Sequence, residues 1–221
     1  RFDPGTLATV GEPVTVWSGN QINSFRLSPS GTLAMATRSS DLSDRRLAWI
    51  DDKGQPQLIP GVTRAFGQLA VSPDGGRVLV QLDAPDQTEL VSDLWVQDLT
   101  RRTFTRIPIQ GAVIGMVWST DGQRIAYGLV RDDTFSIWER RSDGSGEPVK
   151  MYTGPDSRTL LFPSSWSRDD KVLAFGQVDM ATDNPDVYLL GQEADKWVAK
   201  PYLKSPANEN LPVFSPDGKW A

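Results

Sequence analysis

Short apolar runs separated by polar turns recur along the whole chain, and one pattern of them repeats five times. In each copy an apolar segment leads into Ser-Pro-Asp-Gly or a close variant, and a second apolar segment follows it. The copies are Phe25–Ala36, Leu69–Gln81, Met116–Gly128, Ser164–Gly176 and Val213–Ala221. Successive copies lie 44, 47, 48 and 48 residues apart, measured between Ser28, Ser72, Ser119, Ser167 and Ser215. So regular an interval indicates a structural repeat.

Each repeated phrase predicts a tight β-hairpin. Proline sets φ at the second turn position, Asp or Ser bonds back to the backbone, and Gly accepts a positive φ. The copy that lacks Gly has Asp170 in its place, a residue type that tolerates the left-handed region. A third and a fourth apolar run follow each hairpin, at Arg46–Ile50 and Pro56–Ile59, Asp93–Gln97 and Thr103–Ile107, Thr134–Trp138 and Val149–Tyr152, and Asp186–Leu190 and Val198–Leu203.

Four short strands in each repeat predict an all-β fold, a β-propeller of four-stranded antiparallel blades. We expect one domain over residues 1–221, with complete blades at 24–60, 67–108, 114–152 and 164–203. A partial blade at 211–221 and an outermost strand at 12–17 remain. Because closed propellers commonly have six to eight blades, this pattern favours a fragment of a propeller of six or more. Closure of a short five-blade ring through residues 12–17 stays open.

Composition narrows the chemistry. The chain has 221 residues and neither Cys nor His, which excludes disulfides, thiolate zinc sites and histidine-based triads. Its net charge of −5 argues against nucleic acid and against anionic membrane surfaces as partners. The longest apolar run, Gly111–Trp118, is too short to span a bilayer. We therefore predict no catalytic residue, no cofactor and no membrane insertion within the chain.

The repeated phrases resemble the TolB-type, WD40-like (PD40) propeller repeat. The pattern matches best at Val117–Tyr127, Asp93–Val96 and Trp166–Phe175. The connecting segments are similar to those of propellers fused behind bacterial serine/threonine protein kinases, at Phe2–Val14, Arg45–Gln55, Ser92–Ile107 and Lys204–Ala221. This resemblance implies a non-catalytic sensor or binding module of a membrane-anchored bacterial signalling protein. It also implies an extracytoplasmic location, in the periplasm or at the cell surface, although a cytoplasmic one stays open.

Two other functions remain open at the level of sequence. The repeat also resembles the substrate-gating propellers that precede the catalytic domain of certain serine peptidases. A stand-alone propeller hydrolase or lyase is disfavoured by the absence of histidine, although a pair of carboxylates can hydrolyse sugars.

Candidate binding residues lie in the loops that join one blade to the next, because such loops surround the mouth of the central channel. We predict that they bind a protein or peptide partner or a cell-envelope ligand, through Arg64, Phe66, Arg158, Asn208, Glu209 and Asn210. The recurring Ser and Asp of the hairpins are expected to be structural. The acidic segment Asp179–Asp186 has no EF-hand spacing and is expected to be a loop without metal. Exposed blade edges predict self-association.

Overall fold

The computed structural model describes residues 2–3, 8–9, 22–27, 33–37, 46–50, 55–59, 66–83, 92–215 and 217–219. Throughout these ranges the regular structure is β-strand, with no helix. Accordingly, the described residues contain no helix that is long and apolar enough to cross a membrane.

The strands form four antiparallel four-stranded sheets and one small hairpin, each sheet ordered as its strands follow along the chain. The hairpin pairs β1 (Phe2–Asp3) with β2 (Ala8–Thr9). The first blade contains β3 (Ile22–Leu27), β4 (Leu33–Thr37), β5 (Leu47–Ile50) and β6 (Pro56–Leu58). The second contains β7 (Phe66–Val71), β8 (Arg77–Asp83), β9 (Ser92–Asp98) and β10 (Thr103–Ile107).

The other two blades follow the same order. The third contains β11 (Ala112–Trp118), β12 (Arg124–Arg131), β13 (Thr134–Arg141) and β14 (Val149–Thr153). The fourth contains β15 (Thr159–Trp166), β16 (Val172–Asp179), β17 (Asn184–Glu193) and β18 (Lys196–Leu203). The predicted all-β fold of four-stranded antiparallel blades is confirmed.

The sequence predicted two incomplete terminal segments, an outermost strand at 12–17 and a partial blade at 211–221. The strand expected at 12–17 lies outside the described residues. The described residues of the last copy, 211–215 and 217–219, form no strand. They do pack on the fourth blade, because the Phe214 N–H donates to Ser165 Oγ at 3.1 Å and the Ser164 hydroxyl donates to the Pro212 carbonyl oxygen at 2.8 Å.

The first hairpin turn, at 28–31, lies outside the described residues, and the four later turns form as the sequence predicts. In each, the N–H of the fourth residue donates to the carbonyl oxygen of the serine at 2.9–3.0 Å, and the fourth residue has a positive φ. The φ values are 72° at Gly75, 67° at Gly122, 54° at Asp170 and 71° at Gly218. Asp170 thus adopts the left-handed conformation that glycine adopts in the other copies, as expected of an aspartate.

Apolar side chains fill the spaces between neighbouring blades. Leu47 packs with residues of the second blade such as Phe66 and Leu69, and similar clusters join the second blade to the third and the third to the fourth. Stacking of this kind buries blade faces that a single blade would leave exposed. The innermost strands also meet: a Cβ on Gly128 would lie 2.3 Å from the carbonyl oxygens of Ile114 and Leu161, so only glycine fits there.

Candidate functional site

The blades have two ends with different chemistry. The hairpin-turn end holds the Ser-Pro-Asp-Gly turns at 72–75, 119–122 and 167–170. The opposite end, here called the loop end, holds the connections between blades at 154–158 and 204–210 and the β16–β17 turn at 180–183. Strands meet at fixed registers, so residues at one end of a blade remain together.

Four of the predicted binding residues lie at the loop end. Arg158, Asn208 and Asn210 are exposed, and Glu209 is half-buried. Both of their connections contact the segment between β16 and the start of β17: the Met180 N–H donates to the Arg158 carbonyl oxygen at 2.9 Å, and the Glu209 N–H donates to that of Pro185 at 3.1 Å. The structure therefore brings these two loops to the same side of the fourth blade. Arg64 lies outside the described residues.

The prediction that Phe66 lies in a connecting loop is wrong. Phe66 is the first residue of β7, and only 2% of its surface is exposed. Its ring packs in the cluster that joins the first and second blades, with Leu47, Leu69, Val78 and Val80. Burial of an aromatic ring is worth about 1.5–3 kcal/mol relative to exposure, which explains why the chain places it inside the fold rather than at the channel mouth.

A polar cleft of about 570 Å³ opens at the loop end, where the third blade connects to the fourth. Its lining includes Asp156, Gln177, Asp179, Asn184, Asp186, Lys204 and Ser205. Three of these seven residues, Asp179, Asn184 and Asp186, belong to the segment that was expected from the sequence to be an acidic loop. The structure instead places Asn184 and Asp186 in β17, and only residues 180–183 form the turn.

Strand register explains why these side chains meet. Gln177 is the Cα partner of Asp186 across β16 and β17, and Asp179 is the partner of Asn184. Directly opposed residues have Cβ atoms about 5 Å apart on one face of the sheet. That face is the one turned toward the third blade, because Phe175, two residues before Gln177, lies 5.7 Å from the Tyr152 ring of β14.

Asp186 is the most buried carboxylate of the cleft, with 8% of the residue exposed. Its Oδ2 atom lies 3.1 Å from the Lys204 ammonium, and the hydrogen bond with Asp186 is the largest cause of a raised Lys204 pKa. The Oδ1 atom of Asp186 is buried and has no hydrogen-bond partner among the described residues. One oxygen of this carboxylate is therefore engaged and the other is not.

Three further oxygens near this cleft share that condition. Within the described part of the chain, Gln177 Oε1, Asn184 Oδ1 and Glu209 Oε2 are likewise buried without a partner. The other halves of two of these groups are held: Asn184 Nδ2 donates to the Ser205 carbonyl oxygen at 3.2 Å, and Glu209 Oε1 accepts the Ser205 hydroxyl proton. Hydrogen bonds with Ser205 therefore orient the side chains of Asn184 and Glu209, and each keeps one oxygen without a partner among the described residues.

The rim of the cleft adds negative charge. Asp156 Oδ1 accepts the Thr159 hydroxyl proton at 2.8 Å and the Arg158 N–H at 2.9 Å, and these bonds lower the Asp156 pKa. The carboxylates of Asp156, Asp179 and Asp186 face one ammonium, that of Lys204. The site therefore attracts cations and hydrogen-bond donors. In the described ranges, no group of three acidic side chains is arranged to hold a metal ion.

The carboxylate of Asp186 has a counterpart in the second blade. Asp93 starts the corresponding third-strand run, and its Oδ1 lies 2.8 Å from the guanidinium of Arg106. Its side chain is 30% exposed, against 11% for Asp186, and its cross-strand partner is Leu82 rather than a polar residue. Recurrence of the aspartate was visible in the sequence, whereas the buried acceptors around Asp186 were not.

Comparisons with known proteins agree with this architecture. No family model matches the chain. The Tol-Pal system protein TolB of Anaeromyxobacter dehalogenans is 30% identical over 95 residues, which cover 43% of this chain and 21% of that protein. The crystal structure of TolB from Acinetobacter baumannii has a TM-score of 0.71 at 19% identity, covering 94% of this chain and 50% of that one. A putative TolB from Agrobacterium tumefaciens has a TM-score of 0.69 at 19% identity, covering 92% and 69%.

These likenesses concern the propeller itself, since the chain spans about half the length of the Acinetobacter protein. The sequence-based expectation of a TolB-type, WD40-like repeat is confirmed at the level of the fold. This chain has the TolB-type β-propeller fold.

Proposed function

We propose that the chain is a non-catalytic, protein-binding propeller module whose binding surface is the loop end of the third and fourth blades. The cleft at that end carries the proposal, because it combines a net negative charge with buried acceptors that lack partners among the described residues. Loops and strand ends presented by a rigid sheet scaffold are the usual location of binding residues. The likeness to TolB propellers supports a binding role over a catalytic one.

The finer setting rests on the connecting segments of the sequence. Their resemblance to propellers fused behind bacterial serine/threonine kinases supports a sensor module in a larger, membrane-anchored signalling protein. An extracytoplasmic location agrees with this setting. Under this proposal the partner is a protein or peptide that approaches the loop end, and Arg158, Asn208 and Asn210 form the exposed rim around the cleft.

Site-specific cross-linking in the full-length protein, within its source cells, tests this proposal. A photoreactive residue at Asn208 reports on the loop end, and one at Gln123, which is exposed beside a hairpin turn, is the matched control. We expect a discrete adduct of higher mass from position 208 and none from position 123. An adduct from position 123 alone, or from neither position, would contradict a binding surface at the loop end.

A further inference from the structure

We infer that the cleft at the loop end of the fourth blade receives an arginine side chain of the partner. This inference rests on the proposed function and names the chemistry of its binding site. The starting observation is that the unpartnered buried atoms of Gln177, Asn184, Asp186 and Glu209 are all oxygens. Each is an acceptor, so the group that satisfies them must be a donor.

Charge limits the class of donor. Three carboxylates and one ammonium line the cleft, and the ammonium of Lys204 contacts Oδ2 of Asp186 while Oδ1 stays unpaired. A neutral donor could bond to Oδ1, but only a cation adds Coulomb attraction to a cleft lined by three carboxylates and one ammonium. A cation is therefore favoured over a hydroxyl or an amide.

The number and spacing of the acceptors favour a guanidinium among cations. Arginine presents five N–H donors in a planar fork, whereas an ammonium presents three donors on one atom and is more strongly hydrated. The acceptors of Gln177, Asn184 and Asp186 lie along two paired strands, which suits a broad donor. Calcium would require six to eight oxygen ligands. The cleft volume of about 570 Å³ leaves room for one such side chain.

The second blade shows the same contact made within the chain. There the guanidinium of Arg106 binds Asp93, the aspartate at the corresponding repeat position. Arg106 contacts one oxygen of Asp93, and in the fourth blade Lys204 likewise contacts one oxygen of Asp186, whose other oxygen is buried without a partner among the described residues. The repeat position is thus compatible with a guanidinium, and in the fourth blade the partner supplies it.

A titration followed by NMR tests this inference on the 221-residue chain. The probe is acetyl-Gly-Arg-Gly-amide, and its control is the same peptide with citrulline, which has nearly the same shape and no charge. We expect the arginine peptide to bind about tenfold more tightly, with shifts at the amides of Asn184, Asp186 and Ser205. Asp186→Asn should weaken arginine binding about tenfold, while Asp93→Asn, the matched control, should change it less than about twofold.

Three results would overturn the inference: equal binding of the two peptides, no binding of either, or equal effects of Asp186→Asn and Asp93→Asn. If Asp186→Asn fails to fold, Gln177→Leu replaces it, since that variant removes one acceptor and keeps the Asp186–Lys204 pair. The cross-linking experiment distinguishes failure of this inference from failure of the proposed function. Cross-linking at Asn208 without preference for arginine would reject the arginine site alone, whereas absence of that cross-link would reject the binding surface.

Discussion

The buried acceptors at the two ends of the third and fourth blades differ in whether they have partners. At the hairpin-turn end the Ser119 hydroxyl donates to Asp121, and the Arg124 N–H donates to Ser119 Oγ at 2.9 Å. Asp170 joins the two blades there by accepting the Thr120 N–H and hydroxyl, both at 2.8 Å. At the loop end, Gln177, Asn184, Asp186 and Glu209 each keep one buried oxygen without a partner in the described part of the chain.

This difference separates residues that stabilise the fold from residues that the fold positions without using all of their hydrogen-bonding groups. The hairpin-turn contacts recur in successive blades: the backbone N–H groups of Arg77, Arg124 and Val172 donate to the turn serines at 2.9–3.0 Å. A contact that recurs in successive blades stabilises a structural element that these blades share, here the hairpin turn. The acceptors of the loop end do not recur in this way: three belong to the fourth blade and Glu209 to the connection that follows it. A buried acceptor without a partner costs about 1–3 kcal/mol, so its retention indicates a function other than folding.

The largest expected effect is at an interface between blades near the hairpin-turn end. Trp118 is 5% exposed, its indole N–H donates to the Ala70 carbonyl oxygen at 3.1 Å, and Arg77 lies over its ring at 4.8 Å. Trp118→Ala should lower the free energy of unfolding by about 3–5 kcal/mol, measured by urea denaturation. Trp118→Phe keeps most of the packing and should lose less than half of that. A loss below about 1 kcal/mol for Trp118→Ala would contradict this role.

A smaller loss is expected where one carboxylate joins two blades. Asp170→Asn keeps the shape and the left-handed backbone but weakens the contacts with Thr120 and with Arg124, whose guanidinium lies 3.4 Å away. Hydrogen bonds to charged groups contribute about 1.5–3 kcal/mol, so the free energy of unfolding should fall by that amount. The control is Asp195→Asn, at an exposed residue that also has a positive φ of 65°. Equal effects of the two variants would contradict the account of Asp170.

A single turn should contribute about 1 kcal/mol, and this contribution should depend on pH. The Ser119 hydroxyl, and then the Gln123 N–H, lower the pKa of Asp121 below its ordinary value of 3.8. A carboxyl group whose pKa is lower in the folded state than in the unfolded state stabilises the fold. This stabilisation is complete above the unfolded-state pKa and is lost as the pH falls through the folded-state pKa. Asp121→Ala should therefore destabilise the chain at pH 7, and the difference from wild type should vanish in acid. Urea denaturation from neutral pH downward measures it, and a pH-independent difference would contradict the prediction.

The smallest stability effect is expected at the loop end. Gln177→Leu removes an acceptor that lacks a partner in the described part of the chain, so the free energy of unfolding should stay unchanged or rise by up to about 1 kcal/mol. Gln81 offers the contrast, because its side-chain amide donates to Ser92 Oγ at 3.0 Å in the interior. Gln81→Leu should cost about 1 kcal/mol. Thermal unfolding compares the two, and a comparable loss in Gln177→Leu would show that its amide is structural.

Much of the fold could be predicted from the sequence because each blade repeats the same pattern of turn residues and apolar runs. The turn serines, the glycines and the apolar runs recur at nearly constant spacing, and even the exception at Asp170 follows from the backbone freedom of aspartate. Phe66 was misplaced because an aromatic residue at the edge of a loop and one at the start of a strand look alike in a single sequence. Its burial depends on Leu47, which belongs to the neighbouring blade.

The candidate site was only half predictable. The loops with Arg158 and Asn208 follow from the order of strands in a blade, so their position at one end could be predicted. The cleft depends on Asp186 meeting Lys204, eighteen residues later, and on Ser205 holding Asn184 and Glu209. Which oxygen of a buried carboxylate stays unpaired is decided by this packing, and no spacing in the sequence encodes it.

The most direct test of the division between the two ends is to measure stability and binding together in Asp170→Asn and Asp186→Asn. One carboxylate lies at each end of the same blade, and both side chains are close to nine-tenths buried. We expect Asp170→Asn to lose stability and to keep its preference for the arginine peptide over the citrulline peptide. Asp186→Asn should lose that preference and stay within about 1 kcal/mol of wild-type stability, since Lys204 is free to turn to solvent. If Asp186→Asn lost as much stability as Asp170→Asn and still preferred arginine, the proposed division between the two ends would be wrong.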